Sequence, residues 1–368
     1  MKLSSSLEEL VTSVLATDVS GVVDIVQPYV WNVAGRACMA VLAFIGIAYC
    51  ISQILQPVIS YEGKHVVITG GSFGIGLDVA KQYIKQGANI TIVARNINKL
   101  KDAQKELQAL CIDGQKVVII ALDVSSDVDV CAAKLQPAID QLGDVCVLVN
   151  NAGISIAGAF DSTDVKEFSK MFNVNVLGGV NTTRALLDSM KRSARATGGG
   201  RIVFVSSQVA QAPVYGYSAY ATSKWAVRGL AEVLNMELKP YNIYVSVAYP
   251  PDTNTPGYES EMETKPEVTK KISESGSVFS SQEVASDIVT LSTAGYFNIS
   301  TGLDGWMLRQ LHPGMSPVNN LFEVIQPLLF TPLCRAISII YVYSWDQMAE
   351  EEVRKKNENK NLGDKKKK

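Results

Sequence analysis

A chain of 368 residues, 47% of them hydrophobic, holds enough apolar material for one large α/β core together with membrane-seeking segments. Its 34 lysines and arginines against 36 acidic residues leave a net charge of −2, which gives no global attraction to nucleic acid, so none is expected as a partner. Six scattered cysteines without a CxxC pair, and only two histidines (His65 and His312), argue against a structural zinc or a disulfide framework, and no metal site is expected.

In chain order, residues 1–36 form a leader with no functional account, and no charge falls between Arg36 and Glu62. Within that interval the run 37–55 is long and apolar enough to cross a hydrocarbon core of about 30 Å, so 37–61 is expected to be a transmembrane anchor. It starts too far from Met1 and runs too long for a cleaved signal peptide. From Lys64 the pattern alternates short β-branched runs with helix-length intervals: 65–69, 89–94, 116–122, 145–150, 201–206 and 243–248. Six such runs predict a Rossmann-type, doubly wound parallel α/β sheet over 62–310, with room for two helices between Asn151 and Gly200.

Beyond the domain, 316–346 is again apolar, yet Glu323, Pro327, Pro332 and Arg335 break it into pieces too short for a clean spanning helix. The segment is expected to be membrane-associated, either interfacial or re-entrant, with a packed hydrophobic lid as the competing reading. A charged tail, 347–368, is expected to be solvated and disordered. Lys365 and Lys366, fourth and third from the end, resemble the dilysine retrieval signal of endoplasmic-reticulum membrane proteins, which works only from the cytosolic side.

The first strand runs into Thr69-Gly70-Gly71-Ser72-Phe73-Gly74-Ile75-Gly76 and then directly into a helical stretch. This strand–turn–helix context suits a dinucleotide: glycines let the backbone approach the pyrophosphate, and the helix N-terminus offers amide donors. Gly70, Ser72, Phe73, Gly74, Ile75 and Gly76 are the candidate loop residues. The second strand ends in Arg95, with Lys99 four residues on, where an NAD site would place a carboxylate. An arginine pairs with a 2′-phosphate, so NADPH is the expected cofactor; the alternative is a surface arginine at a helix start. Asp123, after the third strand, is a candidate acceptor for the adenine amino group or else a helix cap.

Tyr220 and Lys224, four apart on a predicted helix, share one face, and a cation near the phenol lowers a pKa that is otherwise about 10. Thirteen residues before Tyr220, at the end of the fifth strand, Ser207 can hydrogen-bond a substrate carbonyl; Ser206 is the adjacent candidate. The glycine loop, the Asn150-Asn151-Ala152-Gly153 stretch after the fourth strand, Asn175 in NVNVLG, and the serine, tyrosine and lysine in this order resemble the short-chain dehydrogenase/reductase family over residues 62–300. The resemblance implies strand order 3-2-1-4-5-6-7 and selects Ser207 over Ser206. It casts Asn175 as the holder of a relay water, Tyr220 as proton donor and Lys224 as a grip on the nicotinamide ribose, with Asn150 on the adenosine side. It also implies a homodimer through helices flanking the fourth and fifth strands.

After the sixth strand the family carries a Pro-Gly turn lining the nicotinamide; here Pro250-Pro251-Asp252-Thr253 stands instead, so Pro250 and Thr253 are candidate cofactor contacts in a stiffened loop. That loop, with 201–208, 225–253 and 302–308, closely resembles the branch of the family that reduces a long-chain keto sphingoid base, 3-ketodihydrosphingosine, to dihydrosphingosine. The resemblance places the chain at the endoplasmic-reticulum membrane, in contact with its lipid, with the catalytic domain facing the cytosol. Reduction of a 3-ketoacyl-CoA, retinal or a steroid, and a catalytically silent NADPH-binding membrane scaffold, are the alternatives; no basic patch for coenzyme A is evident over 258–278.

Overall fold

The computed structural model describes residues 35–37, 39–44, 46–47, 50–51, 59–112, 114–318 and 321–366. The chain divides into two compact units, Met1–Leu55 and Gln56–Lys368. In the first, the described residues of the expected anchor are helical with exposed side chains, and residues 1–34 and 52–58 lie outside the described residues; the anchor's expected last residues, 59–61, belong to the second unit, where they are not helical and Tyr61 is buried in the core.

In the second unit seven strands form one parallel sheet: β1 (His65–Thr69), β2 (Asn89–Ala94), β3 (Val117–Ala121), β4 (Val145–Asn150), β5 (Gly200–Val205), β6 (Ile243–Tyr249) and, after two short bridging strands, β9 (Asn298–Ser300). Their order is β3-β2-β1-β4-β5-β6-β9, with β7 (Thr253–Asn254) and β8 (Phe279–Ser280) paired separately. With that pair set aside, this is the expected 3-2-1-4-5-6-7 arrangement. Near-continuous apolar strands are what a sheet covered on both faces requires, and β1, β4 and β5 are buried along their whole length.

Alternation along each strand feeds two cores. Val66, Ile68, Ile90 and Ile92 pack with Val79 and Tyr83 of α1 (Gly74–Lys85), Leu100 and Leu107 of α2 (Ile97–Gln108), and Ile288 of a later helix. On the other face Val67, Leu148 and Phe204 meet Cys131 of α3 (Val128–Leu142) and side chains of the two long helices described next. The Asn151–Gly200 interval holds α4 (Val165–Phe172), a single π-helical turn at Asn173–Leu177, and α5 (Gly178–Thr197). Helix α6 (Ser218–Leu238) follows β5. The shorter α7 (Pro256–Thr264), α8 (Glu267–Glu274), α9 (Ser281–Thr293) and α10 (Gly302–Leu311) complete the domain. Because every strand of the main sheet is parallel, its loops gather at one edge, where register sets Thr69 beside Val93 and Asn150.

The C-terminal segment corrects the sequence reading. Leu321–Lys366 is one continuous helix, α11, through both Pro327 and Pro332, and its Leu321–Lys355 stretch is long and apolar enough to cross a membrane. Each proline forfeits one amide donor. Docking on α10 holds the helix regardless: Trp306 meets Phe330 edge to face at 5.2 Å, Arg309 donates to Gln326 at 2.8 Å, and Thr331 donates to the Gln310 carbonyl at 2.8 Å. The tail expected to be disordered continues this helix, where Glu351 and Lys355, one turn apart, pair at 2.6 Å.

Candidate active site

The loop between β1 and α1 is built so that side chains cannot enter it. Gly70 has φ +66°, and a Cβ there would lie 2.8 Å from Asn151 Nδ2 and 2.9 Å from Ala152 Cα; one on Gly76 would lie 2.4 Å from the Gly70 carbonyl oxygen. Thr69 Oγ1 accepts from the Asn151 and Ala152 amides at 3.1 Å each, while Asn151 Nδ2 donates to the Thr69 and Gly70 carbonyls at 3.1 and 3.2 Å. At the N-terminus of α1, Phe73 supplies no side-chain cap and the first turn carries no carboxylate, so the helix end has amide donors to offer. An uncapped helix N-terminus behind a turn whose glycines leave no room for a Cβ fits a dinucleotide pyrophosphate. Ser72 is buried, Ile75 half-buried and Phe73 exposed within the same loop.

Asn150 departs from its expected place on the cofactor side. Its amide is turned into α5, donating to Thr183 at 3.0 Å and accepting from Thr182 at 2.6 Å, and the following residue, Asn151, braces the glycine loop. Alternation of side chains at the strand end decides which of the two faces the loop. Thr255, which the sequence did not single out, brings its methyl to 2.9 Å from where a Gly74 Cβ would stand.

At the ends of β2 and β3, Arg95 and Lys99 are exposed, and the Lys99 ammonium stands 5.0 Å from the Phe73 ring centroid. Burial opposes ionisation of Asp123, but hydrogen bonds from the Ser125 hydroxyl and amide and the charge of Arg95 outweigh it and hold the carboxyl below its ordinary range. Asp123 closes the turn at Ser125 and does not cap α3, whose cap position is Asp127.

Across the sheet edge, Ser207 leaves β5 and opens a short 3-10 turn over Gln208–Ala210. Ser206 is excluded from the cleft because its hydroxyl donates to the Lys224 carbonyl at 2.9 Å. Tyr220 and Lys224 share the inner face of α6, with the ammonium 5.7 Å from the phenol ring centroid and donating to the Val205 carbonyl at 2.9 Å. Burial pushes Lys224 down to about 8. Tyr220 shifts upward, opposite to the sequence expectation: burial raises its pKa, Glu261 and Asp252 add to that, and only the Ser207 hydrogen bond works against them. Asn175, in the π-turn, accepts from the Ile154 amide at 2.8 Å and donates to the Ile154 carbonyl and Ser223 hydroxyl at 2.9 Å each. A Cβ on Gly153 would stand 3.2 Å from Asn175 Oδ1 and 3.3 Å from Lys224 Nζ, so the missing side chain leaves a gap between those two polar atoms.

Beside Ser207 lies a cavity of about 450 Å³, within the range of roughly 300–1,000 Å³ usual for small-molecule sites. Val209, Val214, Phe279 and Met307 line it from the domain, and Tyr341 and Trp345 of α11 close it. Pro250 borders it and accepts from the Gln208 amide at 3.1 Å. Thr253 is buried, and its hydroxyl closes its own loop on the Pro251 carbonyl at 2.8 Å. In the wall near Tyr220 sits a cluster that sequence reasoning missed. The fully buried Lys265 ammonium is 3.2 Å from Glu261 and 3.6 Å from Asp252, and the Tyr217 hydroxyl donates to Glu261. Tyr217 packs on Tyr220 with centroids 5.5 Å apart. Among the described residues, no group of three or more histidine, cysteine or acidic side chains could hold a metal.

Comparison with known proteins accords with this geometry. The short chain dehydrogenase family matches residues 64–266. A cattle (Bos taurus) 3-ketodihydrosphingosine reductase is 44% identical over 85% of this chain and 93% of its own length. A zebrafish (Danio rerio) 3-dehydrosphinganine reductase is 45% identical over 84% and 92%. A Dictyostelium discoideum 3-ketodihydrosphingosine reductase is 35% identical over 81% and 91%. Among solved structures, a short chain dehydrogenase from Mycobacterium paratuberculosis bound to NAD superimposes with a TM-score of 0.56 at 24% identity, over 64% of this chain and 92% of that one, and shares the fold. The chain therefore belongs to the short chain dehydrogenase family of oxidoreductases, alongside the sphingoid-base reductases that it resembles over more than four-fifths of its length.

Proposed function

We propose that this protein reduces the keto group of 3-ketodihydrosphingosine to give dihydrosphingosine, with NADPH as the reductant. The observation that carries the reading is the meeting of Ser207, Tyr220 and Lys224, with Ser207 also lining a mainly apolar cavity to which α11 contributes a wall. Such a cavity suits a polar ketone head with a long alkyl chain. The relatives' names supply the identity of the ketone.

Gly70, Ser72, Phe73, Gly74, Ile75 and Gly76 would cradle the dinucleotide, with Asn151 bracing the loop. When bound, the dinucleotide supplies the hydride to the carbonyl carbon. Ser207 donates a hydrogen bond to the carbonyl oxygen and so stabilises the charge that develops there. Tyr220 delivers its phenolic proton to that oxygen. A phenol that holds its proton firmly at neutral pH still serves as the acid here, because a developing alkoxide is far more basic. The Lys224 ammonium stabilises the phenolate left behind, and the gap at Gly153 between Asn175 and Lys224 is where a relayed proton would return to the site. At the far end, Arg95 and Lys99 favour a 2′-phosphate, since no acidic residue ends β2. Pro250 and Thr253 shape the loop over the nicotinamide end.

The outer face of α11 exposes Leu328, Leu329, Leu333, Ile339 and Ile340, and its inner face lines the cavity. A helix apolar on both sides and docked on the domain suits an interfacial position, through which an amphiphilic ketone enters from lipid. We place the protein at the endoplasmic-reticulum membrane with the catalytic domain in the cytosol, in keeping with Lys365 and Lys366. The exposed Trp225, Val233 and Met236 on α6 support a homodimer. The test is to incubate the detergent-solubilised full chain with NADPH and 3-ketodihydrosphingosine and measure dihydrosphingosine. Tyr220→Phe is expected to lose at least about 10²-fold in rate. Unreduced ketone refutes the substrate reading, and full turnover by the variant refutes the proton donor.

A further inference from the structure

The ketone proposed above carries a primary amine on the carbon next to the carbonyl and a hydroxyl one carbon further on. The wall that faces them is unusual in charge. Asp252 and Glu261 share one cation, Lys265, which also donates a hydrogen bond to Ser273 at 2.9 Å. Glu261 is well satisfied, at 3.2 Å from Lys265 and with a hydrogen bond from Tyr217, and only 11% of its side chain is exposed. Asp252 has the longer 3.6 Å leg, a further hydrogen bond with Tyr258, and 28% exposure, and it lines the cavity. Two carboxylates on one ammonium leave a negative charge in the wall, on the side where Asp252 stands.

A second, independent observation points the same way. Gln211 is 3% exposed and lines this cavity, yet among the described residues its Oε1 finds no hydrogen-bond donor; Gln208, the residue after Ser207, lines it too and among the described residues its Nε2 finds no acceptor. An unmet acceptor and an unmet donor flanking the Ser207 turn call for a ligand with both functions. The other charged groups lining the cavity are Asp304 on α10 and the exposed Arg335 on α11, whose field falls on His312.

We propose that Asp252 and Gln211 form a subsite for a primary ammonium group adjacent to the reacting carbonyl, with Gln208 donating to the neighbouring hydroxyl. The proposal rests on the substrate being a 2-amino ketone. The ammonium presents donors to the Asp252 carboxylate and the Gln211 carbonyl, and the ionic partner makes such bonds strong. Seating it also has a chemical consequence. After burial, Glu261 and Asp252 are what raise the Tyr220 phenol, so a cation bound against Asp252 offsets their field and makes the phenol a readier acid only when the correct head group is in place.

The test compares full-length protein on 3-ketodihydrosphingosine and on the analogue of equal chain length that lacks the amine. Wild type is expected to favour the amine at least about tenfold in kcat/KM, and Asp252→Asn to reduce that preference about tenfold or more, the scale of a hydrogen bond to a charged group. The same folded fraction turns over both ketones, so their ratio is unaffected by a partly unfolded variant. A wild-type ratio near one, or a ratio that Asp252→Asn leaves unchanged, overturns the subsite. Turnover of neither ketone overturns the substrate reading and the subsite with it, whereas equal turnover of both overturns the subsite alone. A second measurement needs no variant: octadecylamine is expected to inhibit wild type at least about tenfold more strongly than octadecanol. Equal inhibition by the two would again overturn the proposal.

Discussion

Substituting Gly76 by alanine separates nucleotide binding from folding. The new Cβ would stand 2.4 Å from the Gly70 carbonyl oxygen and 2.5 Å from Asn151 Nδ2. Restoring ordinary contact, which begins at 3.4 Å, requires the loop to move by about 1 Å. Misplacing binding groups by that much costs on the order of 10²-fold, or about 2.7 kcal/mol. Stability changes by a similar or smaller amount. Overpacking costs about 1–3 kcal/mol, while alanine in place of glycine within a helix returns about 0.5–1 kcal/mol. The net loss is about 0–2.5 kcal/mol, a fall in Tm of up to several degrees for a domain of this size. Titrating NADPH by its fluorescence, beside a thermal melt, reads both quantities. A variant that binds within twofold of wild type with an unaltered melt would show that this loop does not cradle the dinucleotide.

Three further outcomes follow from the same geometry. Lys224 has its pKa pushed down from the ordinary lysine value to about 8, so the folded protein sheds that proton as pH rises through 8. The stabilising cation is present below that pH and lost above it; kcat/KM is expected to decline above about pH 8, and Lys224→Arg, which keeps its charge, to shift the decline upward in a pH–rate profile. Arg95→Ala is expected to reduce the NADPH-over-NADH ratio of kcat/KM by about tenfold or more; an unchanged ratio would remove Arg95 from phosphate recognition. Aspartate at both Leu333 and Ile340, exposed on α11, is expected to weaken flotation of the protein with liposomes while leaving the Tm of the domain within a few degrees.

The sheet was legible because its strands are nearly uninterrupted β-branched runs: His65–Thr69, Asn89–Ala94 and Val145–Asn150 begin and end where the pattern does. The seventh strand, Asn298–Ser300, is three residues long and gives no pattern of its own. Ser207, Tyr220 and Lys224 could be singled out as candidates because their spacing follows one strand end and one helix face. Asn150 and Asn151 could not be told apart, since which one faces the loop depends on how β4 leaves the sheet. The Asp252–Glu261–Lys265 cluster was hidden for a similar reason. Its members lie on a loop, a helix and a helix end; Glu261 and Lys265 have the spacing of one helical turn, but nothing in the sequence marks Asp252 as their partner. Two charges and two prolines made 316–346 read as broken, whereas contacts from Trp306, Arg309 and Gln310, distant in the sequence pattern, hold the residues from Leu321 onward in a single helix.

A cavity whose outer wall is a helix with apolar residues on its far side has an economical bearing on kinetics. On the proposed entry from lipid, the ketone would arrive sideways, by partition, so the quantity the enzyme senses would be the fraction of lipid molecules that are ketone, whatever the amount dissolved in the surrounding water. Diluting that ketone with inert lipid at constant bulk concentration then starves the enzyme, and crowding it into less lipid saturates it. Reduction of this class of substrate would then be a two-dimensional reaction, in which bilayer composition sets the rate as directly as any side chain in the cleft.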